Sequence, residues 1–68
     1  MANICKQFGK KVRTIRLERG LSQGDMGKLL KVHRTYISGI ERGVRNPSLK
    51  VIEKISKVLK VEIKELFD

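Results

Sequence analysis

Leu21–Pro47 reads LSQGDMGKLLKVHRTYISGIERGVRNP, and its punctuation decides the fold. Ser22 and Asp25 have the spacing of a capping box, in which the hydroxyl accepts from a backbone N–H three residues on and the acid returns the bond. Leu21 before the cap and Met26 after it suit a hydrophobic staple. Met26, Leu29 and Leu30 then fall at i, i+3 and i+4, which predicts the buried side of a helix. Gly27 lies inside that helix, where it costs about 1 kcal/mol relative to alanine. Its presence predicts that the next helix crosses close by. Lys31, Val32 and His33 make a turn. A further helix is expected from about Arg34 to Arg42, stopped by Gly43. Ile37 and Ile40 face inward with Val32. Arg34, Thr35, Ser38 and Gly39 fall on the opposite side, a short polar face with a glycine that permits close approach to a surface.

Working outward, Ile4, Phe8, Val12 and Ile15 form one helical stripe before this stretch, and Gly20 ends that helix as a left-handed cap. Leu17 lies off the stripe. After the central stretch, Val44–Pro47 is a loop that sets Arg42, Arg45 and Asn46 beside the end of the Arg34 helix. Ser48 caps a fourth helix. Leu49, Val51, Ile52, Ile55, Val58 and Leu59 give it a broad apolar face, with Lys50, Lys54 and Lys57 opposite. Lys50, in the first turn and next to the loop, is best placed to meet phosphate. Val61–Phe67 is one or two turns of a fifth helix, whose Ile63, Leu66 and Phe67 either close the core or supply a dimer contact. No run alternates as a strand does. The expected fold is therefore all-α: a single compact domain of five helices over residues 1–68.

The charge is as informative as the pattern. Sixteen Lys and Arg stand against seven Asp and Glu, a formal charge of +9 on 68 residues. Such an excess suits a polyanion binder, which gains affinity by releasing counterions. A chain this short buries only about 60% of its unfolded surface, so a partner or a second copy would help it. Cys5 is the lone cysteine and has no partner for an internal disulfide, which points to a reducing compartment. It reads as a small apolar residue on the first helix. No apolar run approaches the roughly 20 residues of a membrane span, and no signal-peptide core is visible. The expected location is the cytoplasm. There is no nucleophile–base pair, metal-ligand cluster or phosphate-cradling glycine loop, so the sequence does not read as an enzyme. No cofactor and no small-molecule ligand are expected.

Together LSQGDMGKLLKV, YISGIERG, RNPSL and the closing VEIKELF identify a resemblance to the lambda-repressor-like helix-turn-helix family, over Phe8 to Phe67. Within it, HRTYISGIERGVRN is most similar to the controller proteins of restriction–modification systems, small dimeric activator-repressors. The resemblance implies a transcription regulator that binds double-stranded DNA in the major groove as a homodimer on a pseudo-palindromic operator. It implies that Arg34, Thr35, Ser38 and Gly39 point at base edges, with Arg34 suited to guanine O6 and N7. Gln23 matches a position that docks on phosphate, where a helix N-terminus offers free N–H groups. Arg42, Arg45 and Asn46 match the loop that holds the sugar–phosphate backbone, and Tyr36 can serve either role. Arg16 and Glu41 match a structural ion pair. Two positions depart from the family: Lys31 and Lys60 stand where glycine is usual, and Lys31 is expected to adopt positive φ regardless. His33 occupies the cap of the Arg34 helix, where Ser or Thr is common, which frees it to reach phosphate or a base. The alternative is an antitoxin or another protein-interaction module of the same fold.

Overall fold

The computed structural model describes residues 3–68. The chain forms α1 (Ile4–Glu18), α2 (Gln23–Leu30), α3 (Arg34–Glu41) and α4 (Leu49–Leu59), followed by a single 3-10 turn at Ile63–Leu66. The expected fifth helix is thus only a turn. The Glu65 carboxylate accepts from the Glu62 N–H at 2.7 Å, but only four residues are helical, too few for i→i−4 hydrogen bonds to propagate.

Local signals fix each boundary. Asn3 opens α1, its Oδ1 accepting from the Cys5 and Lys6 N–H groups at 2.9 and 3.3 Å. The Ser22–Asp25 capping box is closed in both directions, at 2.8 and 2.9 Å. The Ser48 hydroxyl accepts from the Val51 N–H at the start of α4. Gly20 and Gly43 stop α1 and α3 in the left-handed region. Lys31 and Lys60 close α2 and α4 in the same region, both at φ 59°, so Lys31 adopts the positive φ expected of it. The peptide N–H beyond Lys31 compensates in part, donating from Val32 to Gly27 O at 2.8 Å.

Phe8, Val12, Ile15, Met26, Leu30, Ile37, Ile40, Ile55, Leu59 and Leu66 form one continuous core, with Leu21, Val32 and Tyr36 among the partly buried residues packed on it. Gly27 lets α2 meet the start of α3, since a Cβ there would lie 2.8 Å from Val32 O and 3.3 Å from Arg34 N. Gly9 does the same for α1, where a Cβ would stand 2.2 Å from Ile40 O. Arg19 reaches across to donate to Leu59 O at 2.9 Å, satisfying a carbonyl at the end of α4.

Several expected core residues lie elsewhere. Leu29 is 57% exposed. It sits roughly a quarter of a turn from the Met26–Leu30 line that faces the core. Ile4 is on the α1 stripe but projects past the core, and Leu49 is 85% exposed on the outer side of the first turn of α4. Of the two roles expected for Leu66, its full burial matches closing the core. Ile63 and Phe67 stay largely exposed, although the Phe67 ring also stacks on Phe8 with centroids 5.1 Å apart.

Candidate nucleic-acid interface

One buried carboxylate positions the helix-turn-helix. Glu41, at the end of α3, receives the Arg16 Nε–H at 2.6 Å and an Arg16 terminal N–H at 3.0 Å, a bidentate pair between almost wholly buried side chains. Arg16 also donates to Leu21 O at 2.8 Å. The hydrogen bond to Glu41 pushes the Arg16 guanidinium further up from an already high pKa. Gln23 Nε2 adds a third donor to Glu41 at 3.1 Å. α1, α2 and α3 are therefore tied at one point.

That tie changes what Gln23 has to offer. The position expected to dock on phosphate is half-buried, with one amide hydrogen committed to Glu41. Its second amide hydrogen is the one left to donate outward.

The outer side of α3 follows from burying Ile37 and Ile40. Arg34 and Thr35 are exposed, and Ser38 is half-buried one turn on. Gly39 departs from expectation: it is buried, and a Cβ there would lie 2.7 Å from Arg45 Cγ. The surface it admits is the stem of Arg45, so Gly39 acts as a seat for that side chain and is not open to a base. The Arg45 guanidinium then stands over the Tyr36 ring, 5.7 Å from its centroid, within cation–π range. Neither contact was readable from spacing. The signal for them, a glycine six residues before a loop arginine, has meaning only once the loop folds back.

His33 caps α3 after all. Its Nδ1 accepts from the Thr35 N–H at 3.1 Å and lies 2.9 Å from Thr35 Oγ1. Its ring is exposed beside Arg34 and Thr35. Arg42, Asn46 and Lys50 are also exposed, on the end of α3, the loop and the first turn of α4. From Arg34 to Lys50 the single acid is Glu41, which is buried and paired. The outer face is thus cationic without an opposing charge, the electrostatic footprint that phosphate requires.

A second exposed surface adjoins the loop end of this face, with Asn46 and Ser48 on its border. Ile4, Leu49, Ile52 and Phe67 line a shallow apolar groove between the start of α1 and the start of α4. Among the described residues, no three His, Cys, Asp or Glu side chains are grouped to hold a metal ion, and no helix is long and apolar enough to cross a membrane.

Two short helices joined by a left-handed turn, the second with a polar outer side, define a helix-turn-helix domain. The family model described as helix-turn-helix matches residues 12–66, and the chain belongs to that family. Among its relatives, the control protein C.BamHI of Bacillus amyloliquefaciens is 55% identical over 67 residues, covering 97% of this chain and 83% of its own. The crystal structure of the restriction–modification controller protein C.AhdI of Aeromonas hydrophila superposes with a TM-score of 0.88 at 41% identity, covering 93% of this chain and 96% of that one. The biofilm master regulator SinR, solved in complex with DNA, gives a TM-score of 0.82 at 35% identity over 90% of this chain and 98% of that one.

Proposed function

We propose that this chain is a sequence-specific DNA-binding transcription regulator of the restriction–modification controller type, acting as a symmetric homodimer. The observation that carries the reading is the outer side of α3. Arg34, Thr35 and Ser38 stand exposed or half-exposed on a helix whose inner side is locked by Glu41, with no acid left on the face. The likeness to C.BamHI and C.AhdI narrows the class from general regulator to controller.

The roles follow from chemistry. α3 enters the major groove. Arg34 makes paired hydrogen bonds to guanine, and Thr35 and Ser38 meet neighbouring base edges. Arg42, Arg45, Asn46 and Lys50 take the phosphates alongside, joined by the free amide hydrogen of Gln23 and the outer nitrogen of His33. Tyr36 supports Arg45 and contacts the backbone. Ile63 and Phe67, with Ile4 and Leu49, supply the apolar surface that a second copy covers. A two-fold dimer sets half-sites roughly 34 Å apart.

The test is a binding series on the DNA upstream of the chain's own gene. Arg34→Ala is expected to lose about 1–3 kcal/mol and to relax preference at one base position. Equal weakening on every sequence would make Arg34 a phosphate contact. Sedimentation equilibrium of Leu49→Asp and Ile63→Lys variants tests the dimer face; variants that remain dimeric would place the interface elsewhere.

A further inference from the structure

The start of α3 holds a hydrogen-bond arrangement that decides what Thr35 can read. A backbone N–H only donates, and that of Thr35 points at His33 Nδ1 from 3.1 Å. Nδ1 therefore presents a lone pair, and the neutral ring carries its proton on Nε2. Thr35 Oγ1 lies 2.9 Å from the same nitrogen. With no hydrogen on Nδ1, the hydrogen in that contact is the hydroxyl's own, and the single Nδ1 lone pair is shared between the Thr35 N–H and O–H. The Thr35 O–H is thus turned inward as a donor, and its lone pairs are what the exposed side chain shows outward.

The geometry points to His33 as the residue that fixes the polarity of Thr35, making it an acceptor toward DNA that selects adenine or cytosine. A free threonine hydroxyl rotates to suit either partner. Held by His33, it accepts from adenine N6 or cytosine N4 in the major groove, whereas thymine O4 and guanine O6 and N7 offer only further acceptors. Its neighbour Arg34 carries donors alone. Adjacent readers on α3 thus have opposite polarity, and each rejects what the other takes. His33 here is a positioning residue. The inference rests on the reading of Thr35 as facing a base edge.

Enrichment of a random duplex pool tests it, using the wild-type chain and the Arg34→Ala, Thr35→Val and His33→Ala variants. The position whose preference Thr35→Val erases is expected to hold adenine or cytosine in the wild-type site. Replacing that base by its analogue without the exocyclic amine (purine, or pyrimidin-2-one) is expected to weaken the wild type about 3- to 10-fold and Thr35→Val by less than about 2-fold. His33→Ala is expected to admit thymine or guanine at that position and leave the other preferences unchanged. Because His33→Ala also removes a cap, nitrogen-15 NMR of the wild-type ring gives an independent reading, with the proton expected on Nε2. Thymine or guanine at the Thr35 position, a Thr35→Val variant that alters no position, a His33→Ala variant that still excludes thymine and guanine there, or a proton on Nδ1 would each overturn the inference while leaving sequence reading intact. No enriched sequence for any of the proteins would overturn both the inference and the proposed function.

Discussion

α2 and α3 are both eight residues long and both open on a side-chain cap, yet different forces hold them. α2 carries its own punctuation: a closed capping box at Ser22 and Asp25, and a left-handed stop at Lys31. α3 has a single ring nitrogen at its start, no acid in its first turn and no base in its last. A helix of this length is too short to persist alone in water. α3 is held by its inner face, where Ile37, Ile40 and Glu41 are buried. The difference separates two tasks. The positioning helix has both ends set locally in addition to its buried Met26 and Leu30, while the reading helix depends chiefly on its buried side.

The largest expected effect breaks that anchor. Glu41→Ala leaves Arg16 buried without its partner and should cost about 3–5 kcal/mol in urea unfolding. A loss under about 1 kcal/mol, no more than an N-cap is worth, would mean that α3 is not held from behind. The second sharpens the contrast within α2. Gly27→Ala drives a Cβ to 2.8 Å from Val32 O. It should destabilise by about 1–3 kcal/mol. Gly24→Ala meets only the Ser22 hydroxyl, at 3.7 Å. It should be neutral or stabilise by up to about 1 kcal/mol, as a helix interior favours alanine. Equal effects at the two glycines would remove the close approach of α2 and α3 as an explanation.

Third, Lys31→Gly and Lys60→Gly each relieve a left-handed lysine and should raise stability by about 0.5–1 kcal/mol, the strain relieved exceeding the added unfolded-state entropy. Thermal unfolding of the two variants checks this, and a lower midpoint for Lys31→Gly alone would show its stem packing usefully. The smallest effect is acid loosening of α2. Hydrogen bonds from the Ser22 backbone, chiefly, hold the Asp25 carboxylate below the ordinary value of 3.8. A depressed folded pKa means that the stabilisation is present above 3.8 and is lost as pH falls through the lower folded value. Asp25→Asn should abolish that part of the acid dependence, read from the unfolding midpoint against pH.

The same contrast explains what could be read from sequence alone. The α2 cap, the close approach at Gly27 and the inward Ile37 and Ile40 all depend on residues within a turn or two of each other, so spacing reveals them, whereas the left-handed Lys31 came from family resemblance. Leu29 misled because the i, i+3, i+4 pattern does not say which flank of an apolar line meets the core. Leu66 and Phe67 are neighbours, and only the docking of the final turn on α1 and α4 decides that one is buried and the other is half out. Gly39 looked open because Arg45, which covers it, arrives from the loop. The Arg16–Glu41 pair came from family resemblance; no local pattern joins residues so far apart in the chain. The His33 cap was underestimated because an imidazole nitrogen serves there in place of a hydroxyl.

The meeting of three helices on the Glu41 carboxylate also governs how the chain comes apart. α1 contributes Arg16, α2 contributes Gln23 and α3 contributes the acid itself, so loosening any one of them strips hydrogen bonds from a buried charge. Partial opening is therefore the costly route and whole-domain opening the economical one. The reading surface has no half-assembled form: a chain with α3 in place has α1 and α2 in place as well.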